Sequence, residues 1–351
     1  MEKNLGIGII GLGMGANLLG VNKRKDTSLI VNGVMCTTQE KADRFAKEYG
    51  VKFATTDYKK LIERDDIQII GVYSPDDLHA EHLIAALQAG KHIICTKPMT
   101  VNNDQSQKVV DLVKSKDLKF IIGMTYRFTP QFITAKNMIE SGDIGEIFIA
   151  RGQYVHDISP WLVPGNWRLE RPQDFLYGGG SHAIDALMYF MGDVDEVSAY
   201  GIKGDVVPNY PIMDNFMINC KFKSGKIASV SVFCGVVEPP MPIIRMDYFG
   251  KKGSLTITHT EGKDGWLKVR SKRLELEPLN YIHFTAETES IGGFQHLDTE
   301  LRMALSLEKC IKENLQPVPG VIDGAKVIAV GDAAWESIKN NGKVVKVKTN
   351  F

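Results

Sequence analysis

The sequence lacks any imbalance of charge: 42 Lys and Arg stand against 42 Asp and Glu in 351 residues. A chain so balanced has no electrostatic footprint for nucleic acid or for an anionic membrane surface. Cysteine is scarce and scattered. Cys36, Cys95, Cys220, Cys234 and Cys310 are odd in number and include no CxxC pair, which argues against a disulfide framework and a cysteine-rich zinc site and fits a reducing, cytoplasmic setting. Low-complexity tracts are absent, and so is any repeat with a period of roughly 20–50 residues. Uncharged runs are few; the notable one is Leu5 to Val21. It follows Met1-Glu2-Lys3-Asn4, which has no net positive charge, and contains six glycines. A signal peptide or membrane helix therefore fits poorly, and a strand, a turn and a helix start are expected.

What is present is average for a soluble globular chain: 44% hydrophobic and 24% charged residues. Single cores rarely grow past roughly 250–300 residues, so two domains are expected. Through Gly123 the chain alternates apolar runs with helical patterns. Strands are expected at Leu5–Ile10, Leu29–Met35, Ile67–Tyr73, His92–Cys95 and Phe120–Gly123, with helices between them. Nearly all-apolar strands joined by short helical connections imply a parallel, doubly wound sheet. The second part, residues 124–351, has a helix at Gln131–Ser141 and a strand at Ile147–Val155. A Pro- and Trp-rich stretch, Ser159–Pro172, leads to a helix starting near Ser181. Six further strand-like runs from Val197 to Ser271 are bounded by turn pairs such as Ser224-Gly225 and Lys252-Gly253, which suggests hairpins. Closing helices are expected at Gln295–Glu313 and Ile322–Lys339.

Five local patterns carry chemistry. Gly11-Leu12-Gly13-Met14-Gly15-Ala16 matches GxGxx(G/A) directly after the first strand. Its glycines allow a tight turn and let a pyrophosphate approach backbone N–H groups at a helix start. After the second strand, Cys36-Thr37-Thr38 offers no carboxylate; none lies between Asp26 and Glu40. The missing charge removes repulsion against a 2′-phosphate, and Thr37, Thr38 and Lys41 could favour it, so NADP or dual use is expected over strict NAD. The alternative is that Thr38 only caps the next helix. Ser74-Pro75-Asp76-Asp77-Leu78-His79 follows the third predicted strand, at the edge where doubly wound folds bind ligands. Thr96-Lys97-Pro98 ends the next strand, and a partly desolvated lysine there can move protons near neutral pH. Finally, Gly178-Gly179-Gly180-Ser181-His182 opens a helix that puts His182 and Asp185 on one face. His79 with His82, and His156 with Asp157, imply no third ligand by spacing, so no metal is expected.

In this order, together with Tyr126-Arg127-Phe128 and the tail Asp323-Gly324-Ala325-Lys326 through Ser337, the motifs resemble the glucose–fructose oxidoreductase / inositol dehydrogenase (Gfo/Idh/MocA) family over essentially the whole chain. The resemblance implies an N-terminal Rossmann domain, residues 1–123, and a C-terminal α+β domain, residues 124–351, with a large, open, mostly antiparallel sheet that binds substrate and forms homo-dimers or homo-tetramers. It implies NAD or NADP held by Gly11, Gly13, Met14, Cys36, Thr37, Thr38, Ser74, Pro75, His79, Thr96 and Lys97, and a cis Lys97–Pro98 bond. Lys97 and His182 take the catalytic positions. Tyr126, Arg127, His156, Trp167, Arg168 and Asp185 fall where the family contacts a sugar, inositol or related polyol.

Two departures stand out. The family usually reads Glu-Lys-Pro where this chain has Thr96-Lys97-Pro98. It also usually has Asp four residues before the histidine, where this chain has Gly178; Asp174 or Asp185 could substitute. The expectation is an NAD(P)-dependent dehydrogenase or reductase acting on CH–OH groups. Rival readings are a glycoside hydrolase that keeps its cofactor through transient oxidation and elimination, and a non-catalytic cofactor-binding regulator.

Overall fold

The computed structural model describes residues 4–260, 263–271, 280–284, 291 and 297–351. They form two compact units. The first comprises residues 1–125, 287–325 and Phe351; the second comprises 126–286 and 326–350. Gln295 and His296, where the sequence pattern starts a closing helix, lie outside the described residues.

In the first unit the strands are β1 (Leu5–Ile10), β2 (Leu29–Met35), β3 (Phe53–Thr55), β4 (Ile69–Val72), β5 (His92–Thr96) and β6 (Phe120–Gly123). They pair in the order β3-β2-β1-β4-β5-β6, every pair parallel. The order reverses between β1 and β4. There the first and fourth strands send their following loops in opposite directions and open a crevice at the carboxyl edge. The strands are buried on both faces, as their unbroken apolar sequences require. Helices α1 (Gln39–Tyr49), α2 (Tyr58–Ile62), α3 (His79–Gln88) and α4 (Asn103–Ser115) make the crossovers. Capping follows the sequence. Thr38, Asp57 and Asn102 accept backbone N–H bonds at three N-termini, and Gly50 ends α1 in the left-handed region at φ 66°. The connection after β1 is a 3-10 helix, Met14–Lys23, rather than the α-helix the pattern suggested; Gly15 and Gly20 weaken the α preference there.

The second unit contains α5 (Pro130–Glu140), β7 (Ile147–Val155), α6 (Trp167–Glu170), α7 (Gly180–Met191), β8 (Val194–Ile202), β9 (Asn215–Phe222), β10 (Ile227–Phe233), β11 (Ile244–Gly250), β12 (Gly253–Thr260), β13 (Lys263–Ser271) and β14 (Asn280–Phe284). After α8 (Leu297–Lys312), which packs in the first unit, and α9 (Val321–Lys339), the short β15 (Val345–Lys346) closes one edge. Among the described residues the sheet has nine strands, β14-β13-β12-β11-β7-β10-β9-β8-β15. All pairs are antiparallel except β7 with β10. Helix α7 lies on β7, β10 and β11, and α5 on β12 and β13. That covered face holds Ile218, Val230, Met246, Ile257 and Leu267, all nearly inaccessible. The other face alternates outward, as period-two patterning demands.

Candidate functional site

The carboxyl edge of the first unit's sheet gathers four of the sequence motifs. After β1, Gly11 has φ 98°, a backbone shape that L side chains rarely adopt. A Cβ there would stand 2.4 Å from the carbonyl oxygen of Tyr73. Gly15 is the second close approach: a Cβ would come within 2.9 Å of the Tyr73 ring and of Ile9. The tight packing that the pattern attributes to Ala16 thus extends to Gly15, one residue earlier. Beneath this turn the Tyr73 hydroxyl bonds to the carboxylate of Glu300 on α8, and burial drives the phenol's pKa well up.

After β2, Cys36 is buried, with its N–H bonded to Thr55 O, whereas Thr37 and Thr38 are exposed. Thr38 caps α1, its hydroxyl accepting from Lys41 N at 3.4 Å. After β4, the Ser74 hydroxyl donates to His82 Nδ1 at 2.8 Å; burial pushes that imidazole down to about 4, so it stays neutral and accepts. Pro75 leads into a single 3-10 turn, Asp76–Leu78. His79 is fully buried at the start of α3. After β5, Thr96 is buried and the Lys97–Pro98 bond is cis, as the resemblance implies. Gly123 lets β6 close on this strand end: a Cβ would meet Thr96 Cα at 3.1 Å.

In the second unit the glycine triplet has a steric cause. A Cβ on Gly179 would sit 2.2 Å from Cε1 of Tyr154, so only glycine lets that ring lie against the start of α7. Gly180 is also close-packed, with Val232 at 3.0 Å from an added Cβ. His182, in the first turn of α7, is buried. Its ring meets the edge of Tyr126 at 4.4 Å and stacks on Tyr154 at 6.3 Å, with 23° between planes. The Tyr154 hydroxyl lies 3.0 Å from His156 Nδ1, and His156 in turn meets Trp161 at 5.0 Å. His182 thus lies against the rings of Tyr126 and Tyr154, and Tyr154 in turn against His156.

Asp185, one turn further along α7, takes two bonds from Arg127, at 2.8 and 2.6 Å. Both side chains are more than nine-tenths buried, and the Arg127 guanidinium lies over the Tyr189 ring at 4.3 Å. Of the expected substrate contacts, Tyr126 meets His182 directly and His156 is linked to it through Tyr154, while Arg127 and Asp185 pair with each other. Trp167 and Arg168 stand together on α6, the guanidinium 4.5 Å from the indole, with Arg168 Nε donating to Gln173.

Two residues of this cluster escaped the sequence patterns. Tyr154 is inward-facing on β7. His259, on β12, lies 5.0 Å from the Tyr126 ring, and its Nδ1 accepts from Gln131 Nε2 at 2.8 Å. The available signal was parity, since His259 continues the inward series Leu255, Ile257. At the family's aspartate position, Gly178 N bonds to Asp174 O. The Asp174 carboxylate accepts from Leu176 N and from Trp335 Nε1.

Comparison with known proteins accounts for this combination. A model of an oxidoreductase family with an NAD-binding Rossmann fold matches residues 5–124, and the GFO/IDH/MocA C-terminal domain matches residues 132–256. The chain belongs to the Gfo/Idh/MocA family. A Gfo/Idh/MocA relative, levoglucosan dehydrogenase of Pseudarthrobacter phenanthrenivorans, is 27% identical over 338 residues, 85% of each chain. Myo-inositol 2-dehydrogenase of Thermotoga maritima is 23% identical and spans 96% of this chain and 97% of its own. A solved levoglucosan dehydrogenase, in complex with NADH and levoglucosan, matches with a TM-score of 0.86 at 25% identity, covering 99% of this chain and 100% of that one. The Gfo/Idh/MocA assignment makes the chain an NAD-binding oxidoreductase and favours the dehydrogenase reading over the hydrolase and regulator alternatives.

Proposed function

We propose that this oxidoreductase transfers a hydride between a bound nicotinamide dinucleotide and a carbinol carbon of a sugar, inositol or related polyol. The observation that carries the reading is the pair of built loops: the turn whose Gly11 and Gly15 leave no room for a Cβ, and the glycine-framed His182 among aromatic rings. Gly11, Gly13 and Met14 would hold the pyrophosphate by backbone N–H groups. Cys36, Thr37 and Thr38 would face the adenosine ribose; Ser74, Pro75, Thr96 and Lys97 would line the nicotinamide side. No carboxylate lies between β2 and α1, so a 2′-phosphate there meets no adjacent acid, and we propose use of NADP as well as NAD. A strong preference for NADH over NADPH in binding titrations would refute the second cofactor.

Lys97 and His182 are the proposed proton carriers. One takes the hydroxyl proton during oxidation and returns it during reduction; the other polarises the oxygen. Tyr126, against His182, and His156, linked to it through Tyr154, would face the sugar, as would Trp167 and Arg168. Arg127 and Asp185 would fix the helix that carries His182. Lys97→Ala and His182→Ala should each lower turnover by roughly 10²–10⁴-fold while cofactor affinity holds. Wild-type turnover in both would defeat the assignment. Net change in nicotinamide absorbance during turnover is expected; product formed without it would support the cofactor-retaining hydrolase instead.

Homo-dimers or homo-tetramers through the uncovered sheet face complete the proposal. Strand registers put Tyr200, Met217 and Trp266 in one outward row and Ile227 and Phe249 in another, all exposed. Apolar patches on a sheet face favour association. Met217→Asp should shift the protein towards monomer in light scattering; an unchanged mass would refute that interface. Five buried cysteines, none of them in a disulfide, support a reducing, cytoplasmic location.

A further inference from the structure

The imidazole of His79 is wholly enclosed, and its two nitrogens face two backbone carbonyl oxygens. Nδ1 lies 2.6 Å from Pro98 O, and Nε2 lies 2.7 Å from Ser74 O. A carbonyl oxygen only accepts, so each contact is a hydrogen bond only if its nitrogen carries a proton. A neutral imidazole has one N–H and one lone pair. In either tautomer it would aim that lone pair at an oxygen lone pair, at hydrogen-bonding distance, on a ring with no solvent exposure. We infer that His79 is a doubly protonated imidazolium that ties the Ser74 turn to the Lys97–Pro98 turn, and so positions the two loops assigned to the nicotinamide side. Its consequence for catalysis rests on the function proposed above; its protonation rests on hydrogen-bond chemistry alone.

Two observations agree with it. The contacts are as short as charge-assisted bonds, which run to roughly 2.7–2.9 Å. His82 stands at i+3 on the same helix face, and burial lowers its pKa and keeps it neutral. With His82 neutral, Ser74 is gripped twice, by His79 at its carbonyl and by His82 at its hydroxyl. The spacing Ser-Pro-x-x-x-His-x-x-His then has a physical meaning: one helical turn supplies both grips. Two forces oppose the arrangement: full burial disfavours the charged form, and a cation at the first turn of α3 meets the positive end of the helix dipole, so the two short bonds must together outweigh both. The sequence reading placed His79 against the cofactor. With both nitrogens directed at protein carbonyls, its role is that of a brace behind the cofactor loops.

The test begins with the unaltered protein. Histidine is labelled with ¹⁵N and ¹³C, His79 is assigned through bonds from its own backbone, and long-range ¹H–¹⁵N spectra are recorded at pH about 8, above the ordinary imidazole value of ~6.5. Two protonated ring nitrogens are expected. A single protonated nitrogen would overturn the inference, with no variant needing to fold. The functional arm compares His79→Phe, which keeps a ring and loses both donors, with His79→Gln, which keeps an amide donor. In folded His79→Phe, kcat should fall about tenfold or more and KM for the dinucleotide should rise, with partial recovery in His79→Gln. A merely structural role would lower the melting temperature and leave both constants at wild-type values, and that result would overturn the positioning role. Wild-type turnover in Lys97→Ala would refute the Lys97 assignment separately, leaving the ¹⁵N result as it stands.

Discussion

Replacing Gly179 with alanine sets two effects of opposite sign against each other. The residue has φ −72° and ψ −41°, ordinary right-handed helical values. Alanine adopts that shape easily and restricts the unfolded chain, which by itself would stabilise by roughly 0.4–1 kcal/mol. The new Cβ, however, would lie 2.2, 2.6 and 2.7 Å from Cε1, Cδ1 and Cζ of Tyr154. Carbon atoms rest at roughly 3.5–4.0 Å, so the ring must retreat by about 1.4 Å. It is poorly placed to do so, with its hydroxyl on His156 and its face on His182. Overpacking of this kind costs about 1–3 kcal/mol. The clash should win by about 1–2 kcal/mol, or roughly 2–8 °C in melting temperature for a unit of this size. Because the ring takes His182 with it, turnover should also fall by about tenfold or more. The decisive measurement is thermal unfolding in two backgrounds. With Tyr154→Ala the obstacle is gone, and Gly179→Ala should become neutral or stabilising. An equal loss in both backgrounds, or none in the native one, would refute the steric reading of the triplet.

Other substitutions probe the remaining structure. Gly11→Ala joins a positive φ of 98° to a 2.4 Å approach to backbone, which cannot yield; isothermal titration should show dinucleotide affinity reduced at least tenfold, and unaltered affinity would remove Gly11 from the cradle. On the open sheet face, burial alone would raise the pKa of Asp247, but bonds from Thr256, Arg151 and Arg245 outweigh it and hold the carboxylate below its usual range. A depressed carboxyl stabilises the fold above its unfolded pKa of ~3.9 and loses that contribution as pH falls through the lower folded value. Urea unfolding should therefore show Asp247→Asn weaker by roughly 1–2 kcal/mol at neutral pH, the half-exposed arginines being screened by water, with the gap closing in acid. A gap that persists below both pKa values would contradict this. His82 works in the other direction from a charged partner. Its folded value of about 4 lies below the unfolded ~6.5, so the unfolded chain takes up a proton first and stability should decline as pH falls from ~6.5 towards 4. His82→Gln should flatten that slope; an unchanged slope would assign it elsewhere.

The fold was legible where local pattern decides structure. Leu5–Ile10, Leu29–Met35, Phe120–Gly123, Ile147–Val155 and Asn215–Phe222 have the bounds that apolar runs and turn residues predict. The three-residue β3 was too short to show a period, and strand alternation is the same whether neighbours run parallel or antiparallel, so the parallel β7–β10 pair could not be foreseen. Nor does any local signal bring α8 back to the first unit, where Glu308 bonds Thr27 and Ser28 across some 280 residues of chain. The site divides in the same way. Lys97, His182 and the glycine turn follow from motif and spacing, whereas Tyr154 reaches His182 and His259 reaches Tyr126 from strands far from them in sequence. The missing aspartate shows why spacing alone misleads. Read as a sequence, Gly178 is one lost charge. In the fold, a Cβ at that position would already stand 3.2 Å from the Gln173 amide nitrogen and 3.3 Å from Asp174 O, while Gln173 accepts from Arg168 and Asp174 from Trp335. The space next to Gly178 is thus taken by a loop built around Gln173. Glycine at 178 and glutamine at 173 are packed together, and an aspartate returned to 178 alone would require the Gln173 amide and the Asp174 carbonyl to give by a few tenths of an ångström.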